Sequence, residues 1–181
     1  MSAEGQPEGR VTRLVRRADR RTMPWKNGGG VTHELWREDH DGALGLRISI
    51  AEVAADGPFS HFPGVDRVIL LLEGEACVLH RDDGTEVVLR PRRPFAFLGE
   101  DAWACTLPEG PVLDFNVMTQ RGTRGAAVRV CEPGRIEADF VLALAPGEIG
   151  GAAVDTGELA AIDGPVWADV PVVAVHVARY P

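Results

Sequence analysis

Three segments of the chain place polar side chains where they could contact a small molecule, and the first is Met23–Gly30 (MPWKNGGG). Lys26 and Asn27 precede the glycines, whereas a phosphate-binding loop places its glycines before the lysine and then opens a helix. The residues that follow, VTHELW, alternate as a strand does. Two interpretations stay open: a tight glycine turn with Trp25 filling the core, or a ligand-binding loop that uses Lys26 and Asn27. Lys26 is the one lysine among the 19 Lys and Arg residues, which favours a specific role.

The second segment, Asp56–Glu75 (DGPFSHFPGVDRVILLLEGE), resembles the first metal-binding motif of cupins. Metal-binding cupins use two histidines and a glutamate there, because a divalent ion needs several N and O ligands that converge from adjacent strands. Here His61 is the one histidine, Pro63 takes the place of the second, and Arg67 lies near the glutamate position. Trp103 lies where the second cupin motif would supply another histidine. Since a cation at Arg67 repels a metal ion, we expect no metal and no other cofactor.

In the mouth of a barrel, Arg67 could bind a carboxylate instead of a metal ion. A guanidinium is permanently charged, and its planar fork of N–H donors matches the two oxygens of a carboxylate. Residue parity places Arg67 on the same strand face as Ile69 and Leu71, and the opposite face is apolar too. Both faces of this strand are therefore expected to be buried, and a buried charge needs a partner. The alternative is a surface ion pair of Arg67 with Asp66 or Glu73.

The third segment, DFNVM, is typical of a strand with Asp114, Asn116 and Met118 on one face. Polar groups that alternate with apolar residues indicate that this face lies in a polar cavity or in solvent. On the strand after the glycine loop, His33 and Glu34 point to opposite faces, so they cannot enter one site. No spacing in the sequence identifies a nucleophile with its base.

The elements that must position these residues are short strands. The 21 glycines and 13 prolines are too many for long helices. Between them lie runs such as LRISI, VILLLEG, CVLH, EVVLR, FAFLG and VLDFNVM, spaced as in an all-β sandwich or barrel. Asp82-Asp83-Gly84 predicts a hairpin turn in which Gly84 has a positive φ. We expect an all-β protein with one or two short helical turns at most.

The composition excludes several classes of protein. The chain has 19 Lys and Arg against 27 Asp and Glu, a formal net charge of −8, which disfavours general nucleic-acid binding. No apolar run approaches the ~20 residues that span a bilayer, and the N-terminus lacks the apolar region of a signal peptide. We therefore expect a cytoplasmic protein with no nucleic-acid or membrane partner. A protein- or RNA-binding arm in the arginine-rich residues 1–21 is the alternative.

Cys77, Cys105 and Cys131 form no CxxC pair, and each lies in an apolar stretch. Reduced thiols packed as small hydrophobic side chains explain this pattern, with a zinc site or a catalytic thiol as the alternative.

Taken together, MPWKNGGGVTHE, DGPFSHFPGVDRVILLLEG, FLGED and DFNVM resemble the HutD/Ves family of bacterial cupin-like proteins. The resemblance implies a bicupin fold, two stacked halves in one compact unit, and a homodimer. We divide the chain into an N-terminal strand and turn (1–22), a first cupin-like barrel (23–120) and a smaller second half (121–181). HutD members accompany histidine-utilisation operons and are thought to sense a pathway intermediate. The resemblance makes Arg67 the pocket arginine, with Trp25–Asn27 nearby.

The leading hypothesis is a metal-independent protein that binds a small carboxylate-bearing metabolite and regulates catabolic flux. Formylglutamate and urocanate are candidate ligands. The carboxylate would bind Arg67, and the supporting residues would be Trp25, Lys26, Asn27, His61 and Asn116. The alternative is a metal-free isomerase or hydrolase in which His61 is the general base and Arg67 stabilises an oxyanion. A metal-dependent cupin enzyme is the remaining class, and binding is preferred over catalysis.

Overall fold

The computed structural model describes residues 9–180, and within them the chain forms nineteen strands and one 3-10 turn, Arg17–Asp19. The strands of the first two thirds are β1 (Arg10–Val15), β2 (Arg21–Pro24), β3 (Gly30–His40), β4 (Ala43–Val53), β5 (Gly57–Pro58), β6 (Val65–Glu73), β7 (Cys77–His80), β8 (Glu86–Leu89), β9 (Phe95–Leu98), β10 (Ala104–Thr106) and β11 (Val112–Gln120). The remaining strands are β12 (Arg124–Cys131), β13 (Gly134–Ile136), β14 (Phe140–Ala143), β15 (Gly147–Ile149), β16 (Ala152–Val154), β17 (Leu159–Asp163), β18 (Val166–Ala168) and β19 (Val172–Arg179). The predicted all-β class is confirmed.

The chain divides by its contacts into two units. Within the described residues, the larger unit comprises Arg20–Ala126 with residues 178–180, and the smaller comprises residues 9–19 with Ala127–Val177. Each unit contains its own sheets and its own apolar core, and the candidate site residues all belong to the larger one.

The larger unit contains a six-stranded sheet of order β2-β3-β4-β11-β6-β9 and a four-stranded sheet of order β5-β10-β7-β8. Because side chains alternate across a strand, one face of the six-stranded sheet supplies Ile69 and Leu71 to a core shared with Leu79 and Cys105 of the other sheet. The predicted turn between β7 and β8 is confirmed, with Gly84 at φ 83°. These sheets form a sandwich rather than a closed barrel.

The smaller unit contains a five-stranded sheet of order β1-β17-β14-β19-β12 and a four-stranded sheet of order β13-β18-β15-β16. Its core includes Val141, Ile149 and Val172, each fully buried.

The N-terminal strand belongs to the smaller unit, because β1 pairs with β17 in an antiparallel register from Arg10↔Asp163 to Val15↔Leu159. Residues 1–8 of the predicted N-terminal segment 1–22 lie outside the described residues. Arginines of the basic stretch bond within this unit: Arg16 donates to Glu158 at 2.7 Å, and Arg17 donates to the Thr156 carbonyl. No helix within residues 9–180 is long and apolar enough to cross a membrane.

The three cysteines are free thiols in this structure. Cys77 and Cys105 are buried in the apolar core of the larger unit, whereas Cys131 is half-buried and its Sγ accepts a hydrogen bond from Arg129. Among residues 9–180, no group of three His, Cys, Asp or Glu side chains is arranged to hold a metal ion.

Truncating a core leucine should destabilise the larger unit far more than truncating an exposed one. Leu79 is fully buried in β7, whereas Leu98 at the end of β9 is 44% exposed. We expect Leu79→Ala to lower the free energy of unfolding by about 2–5 kcal/mol through lost burial and the cavity it leaves. Leu98→Ala is the matched control, and urea unfolding measures both. Equal losses would contradict the assigned core.

Candidate functional site

The strand register of the six-stranded sheet brings charged and polar side chains of distant segments onto one face. In β11, Met118 lies opposite Arg47 of β4 on one side and opposite Arg67 of β6 on the other. Two residues along, Asn116 lies opposite Ser49. Residues i and i+2 of a strand share a face. Asp114, Asn116 and Met118 of β11 therefore lie on the same side of the sheet as the partner residues Arg47, Ser49 and Arg67.

These side chains form the floor of a cavity of about 600 Å³. The cavity walls come from β2 to β4, β6, β11 and the chain between β5 and β6. The lining residues are Met23, Pro24, Trp25, Lys26, Asn27, Thr32, Arg47, Ser49, Ala51, Pro58, Phe59, Ser60, Phe62, Arg67, Asp114, Asn116 and Met118. Lys26, Asn27 and Ser60 at the rim are exposed, whereas the floor residues of β11 are buried. The volume suits a small metabolite.

Arg67 lies in the cavity floor with only 6% of its surface exposed. Its guanidinium carbon is 4.7 Å from the ring centre of Phe97 and 5.5 Å from those of Phe59 and Phe62. Phe97 is the cross-strand partner of Arg67. One terminal nitrogen, Nη1, donates to the Ser60 carbonyl at 3.3 Å, and Nε has no hydrogen-bond partner among the residues that the structure describes. The aromatic faces stabilise the cation and leave donor capacity for a ligand.

Burial and nearby charges shift the ionisation of the cavity floor. Burial lowers the pKa of the Arg67 guanidinium to about 10, while attraction to Asp114 opposes that shift and repulsion from Arg47 adds to it. Burial raises the pKa of the Asp114 carboxyl to about 7, against the opposing effects of Arg67 and a hydrogen bond with Asn116. The Arg67 guanidinium is therefore charged at neutral pH, whereas the Asp114 carboxyl has its pKa close to neutral pH.

The second arginine of the floor already has a partner. Arg47 Nε donates to Glu34 Oε2 at 2.8 Å, and both side chains are largely buried. His33 points to the other face of β3, where its Nε2 lies 3.0 Å from Glu52 Oε1. This separation of His33 from Glu34 confirms the sequence prediction. Because Arg47 pairs with Glu34, Arg67 is the buried arginine of the cavity floor that has no ion pair within 4 Å among residues 9–180.

Comparison with known proteins matches this chain to one family over most of its length. The sequence profile of the HutD family matches residues 17–163. The chain belongs to the HutD family. The predicted HutD/Ves resemblance and the predicted cupin-like fold are thereby confirmed.

Individual relatives of this HutD family member come from several bacteria. An uncharacterised 21.2 kDa protein from the hutC 3' region of Pseudomonas putida is 41% identical over 107 residues, 58% of this chain and 56% of that protein. Protein Ves of Citrobacter koseri is 40% identical over 124 residues, 63% of this chain and 62% of that protein. The chain therefore spans less than two thirds of the length of these relatives. The structure of HutD from Pseudomonas fluorescens SBW25, in a formate condition, superposes with a TM-score of 0.85 at 28% identity, covering 93% of this chain and 99% of that one.

Five of the six residues predicted for the site line the cavity of this HutD family member, and they are Trp25, Lys26, Asn27, Arg67 and Asn116. His61 does not line it. Its side chain is exposed, although the residues on either side of it contribute to the wall. The surface ion pair considered for Arg67 is absent from the described residues, because Asp66 accepts instead from Arg121 at 2.6 Å.

The glycine loop between β2 and β3 is both a tight turn and part of the cavity rim. Trp25 Nε1 donates to Thr32 Oγ1 at 2.8 Å, and the Asn27 side-chain oxygen accepts from the Gly29 N–H at 3.0 Å. Gly30 is needed for close approach, since a Cβ there would overlap the Glu52 carbonyl oxygen. The two sequence interpretations of this loop are therefore compatible, because the turn holds Lys26 at the cavity mouth.

Several cavity residues were not singled out from the sequence as ligand contacts: Arg47, Ser49, Phe59, Phe62 and Asp114. The signal for Arg47 and Ser49 was their parity in LRISI, which places two polar residues on the face that carries Ala51. The alternation in DFNVM places Asp114 on the same face as Asn116, but it does not decide whether that face lies in a cavity or in solvent. The phenylalanines lie in a segment without periodicity, so no pattern indicated their direction.

The residues present do not fit a cupin metal site. His61 is exposed and does not line the cavity, Pro63 offers no ligand, and Arg67 adds a positive charge to the cavity floor. The buried acceptors that remain, Asp114 and Asn116, offer too few ligands for a divalent ion.

Asp114 should make stability depend on pH in a defined direction. Its pKa rises from 3.8 in the unfolded chain to about 7 in the folded one, so between these values the folded state holds an extra proton. The free energy of unfolding then falls as pH rises through this window and levels above it. At ~1.4 kcal/mol per pKa unit the loss is on the order of 4 kcal/mol. Asp114→Asn lacks this titration.

Urea unfolding of wild type and Asp114→Asn from pH 4 to pH 8 measures the effect. The stability of the variant relative to wild type should increase up to about pH 7 and then stay constant. A difference independent of pH would show that Asp114 keeps its ordinary pKa.

The glycine loop gives a matched pair of variants. Gly30→Ala should lower the free energy of unfolding by about 1–3 kcal/mol, because its Cβ meets the Glu52 carbonyl and the Trp25 ring. Gly29→Ala is the control, since its Cβ would be 3.4 Å from the nearest atom, on the Asn27 side chain. Tryptophan fluorescence and thermal unfolding report both effects. Equal behaviour of the two variants would contradict the packing of Trp25 on Gly30.

Proposed function

We propose that this HutD family member binds a small carboxylate-bearing metabolite on Arg67 without a metal ion. The observation that carries the proposal is the buried guanidinium in the cavity floor, which has aromatic neighbours and, within the described part of the chain, an unpaired Nε and no ion pair within 4 Å. A bound carboxylate would accept charge-assisted hydrogen bonds from it, which are about twice as strong as neutral ones. It would also balance the buried charge.

The remaining lining residues support a small anionic ligand. Lys26 at the exposed rim adds a second positive charge to the entrance, and Asn116 on the floor adds a polar contact. Trp25 covers one side as an apolar wall. A cavity of about 600 Å³ accommodates a metabolite of the size of formylglutamate or urocanate, the two candidate ligands.

The biological role that we propose is sensing and regulation of catabolic flux. The chain belongs to the HutD family, and one relative is a protein of the hutC 3' region. Binding a carboxylate intermediate of histidine breakdown would report how much of that intermediate accumulates. We also propose that the protein acts as a homodimer.

Catalysis is the less supported alternative. A metal-free isomerase or hydrolase would need a general base within hydrogen-bond reach of the bound ligand. His61, the candidate base, is exposed and does not line the cavity. The position of His61 therefore argues against its use as the general base.

Replacing Arg67 should abolish carboxylate binding. We choose Arg67→Met, because an apolar side chain of similar length keeps the contacts with the surrounding phenylalanines. A ligand at 100 times its dissociation constant adds about 2.7 kcal/mol to stability, several degrees in Tm for a chain of this size. Thermal-shift assays with formate, formylglutamate, urocanate and glutamate should show this for wild type and not for the variant.

Arg121→Ala is the matched control. Arg121 belongs to the same unit, pairs with Asp66 and Glu100, and lies outside the cavity lining. Its loss should leave the ligand shift unchanged. An equal shift in wild type and Arg67→Met would remove Arg67 from the site, and no shift with any of the acids would contradict carboxylate binding.

A further inference from the structure

The segment that joins β8 to β9 concentrates positive charge on the surface of the larger unit. Its sequence, Arg90-Pro91-Arg92-Arg93-Pro94, is exposed at every residue. Within residues 9–180, the side chains of its three arginines form no ion pair and no hydrogen bond. Arginines elsewhere in this unit are paired, as Arg37 is with Asp39 and Arg81 with Asp83. The segment is therefore a local concentration of unpaired cations in a chain whose net charge is −8.

The backbone of this segment forms a four-residue turn with an arginine at a position that favours glycine. The Arg93 N–H donates to the Arg90 carbonyl at 3.3 Å, and the Arg92 N–H donates to the Leu71 carbonyl at 3.0 Å. Arg92 has a φ of 62°, and a proline followed by a residue of positive φ is typical of a type II turn. Glycine is preferred at this third position, because a Cβ is strained in the left-handed region.

The strain at Arg92 indicates that the position retains an arginine for its side chain and not for the turn. Among the described residues, the other non-glycine with a positive φ is Asp41, in an Asp-Gly hairpin turn where aspartate tolerates this conformation. The Arg92 side chain forms no local hydrogen bond that would compensate its strain. Backbone strain in native proteins concentrates at binding and catalytic sites. We therefore expect the Arg92 guanidinium to contact a partner.

The surroundings of the turn favour an acidic protein segment over a nucleic acid. Val88, in β8 and two residues before Arg90, is 49% exposed, so an apolar surface lies beside the cations. Arginine binds carboxylates through two parallel hydrogen bonds, and aliphatic side chains of the same segment can cover Val88. A nucleic acid would release counterions at three arginines only, and the net charge of −8 would repel the rest of its phosphates.

The partner segment does not bind by adding a strand to the neighbouring sheet. β9 is the last strand of the six-stranded sheet, but it has only 4 residues and follows Pro94 directly. The Leu98 N–H donates to the Asp101 side chain, and the Leu98 carbonyl accepts from the Asp101 N–H. A short edge strand next to a proline is a common protection against strand addition. Side-chain contacts must therefore supply the binding energy.

We infer that the Arg90–Pro94 turn is a docking site for an acidic segment of a partner protein. Carboxylates of that segment bind Arg90, Arg92 and Arg93, and its aliphatic residues contact Val88. Arginine is enriched in protein interfaces, where its planar fork gives directional contacts. None of these residues lines the cavity, so the inference does not depend on the proposed function.

Fluorescence anisotropy with a fluorescein-labelled peptide tests the inference. The probe is Glu-Asp-Leu-Glu-Glu-Asp-Leu-Glu, and the control peptide replaces each Glu by Gln and each Asp by Asn. Wild type should bind the acidic peptide at least tenfold more tightly than the amide peptide at ~0.1 M salt. Its affinity for the acidic peptide should fall as salt is raised, because exposed charges are screened.

Arg92→Gly separates binding from folding. Glycine removes the guanidinium and relieves the strained φ, so the affinity should fall several-fold while the Tm stays the same or rises. Arg92→Gly combined with Arg93→Gln should lower the affinity tenfold or more. Arg37→Gln is the matched control, since it removes one positive charge from the same unit at a residue already paired with Asp39. Its affinity should stay within twofold of wild type.

Three outcomes would contradict the inference. Equal affinity for the acidic and amide peptides, or an affinity unchanged in the double variant, would show that the turn is not a docking site. A single-stranded DNA oligonucleotide that binds as tightly as the peptide, with the same dependence on Arg92, would replace the protein partner by polyanions in general. A dimer in sedimentation velocity that Arg92→Gly dissociates would assign the turn to a second copy of this chain.

Discussion

The burial of the Arg67 guanidinium is the interaction on which the arrangement of the site depends. Only 6% of the surface of Arg67 is exposed, and its charge must be compensated because an isolated buried ion costs several kcal/mol. The fold compensates it from three directions: the ring of Phe97 on the neighbouring strand, the rings of Phe59 and Phe62 with the Ser60 carbonyl, and the charge of Asp114. The edge strand β9 and the segment after β5 are held against β6 by the same contacts.

The Arg67–Asp114 arrangement also determines how an anionic ligand would change the charge of the cavity floor. An ionised Asp114 and a bound carboxylate would compete for the same guanidinium, yet burial already raises the pKa of Asp114 to about 7. An incoming anion favours the protonated form further, so Asp114 can give up its charge at little cost near neutral pH. The floor thus balances Arg67 with an internal carboxylate when empty and can accept an external one in its place.

The sequence predicted this floor better than it predicted the walls. Period-two alternation placed Arg67 with Ile69 and Leu71, and Asn116 with Asp114, on faces that the structure confirms, because parity is a local property of a strand. The Arg47–Glu34 pair could not be foreseen, since the register between β3 and β4 contains irregularities that only pairing reveals. The direction of His61 was equally inaccessible: it lies in a segment without periodicity.

The departures from the cupin metal motif have one common physical consequence. Strands of a cupin-like sandwich direct side chains from β4, β6 and β11 toward one point, and that convergence serves any ligand that needs several contacts. With Arg67 near the position of a metal-ligating glutamate, and with His61 facing solvent, the convergent groups are a cation, a carboxyl and an amide. Such a set holds its partner by hydrogen bonds and charge, which form and break reversibly. Reversible occupancy is what a protein that reports a metabolite concentration requires, so the chemistry of the floor and the proposed sensing role agree.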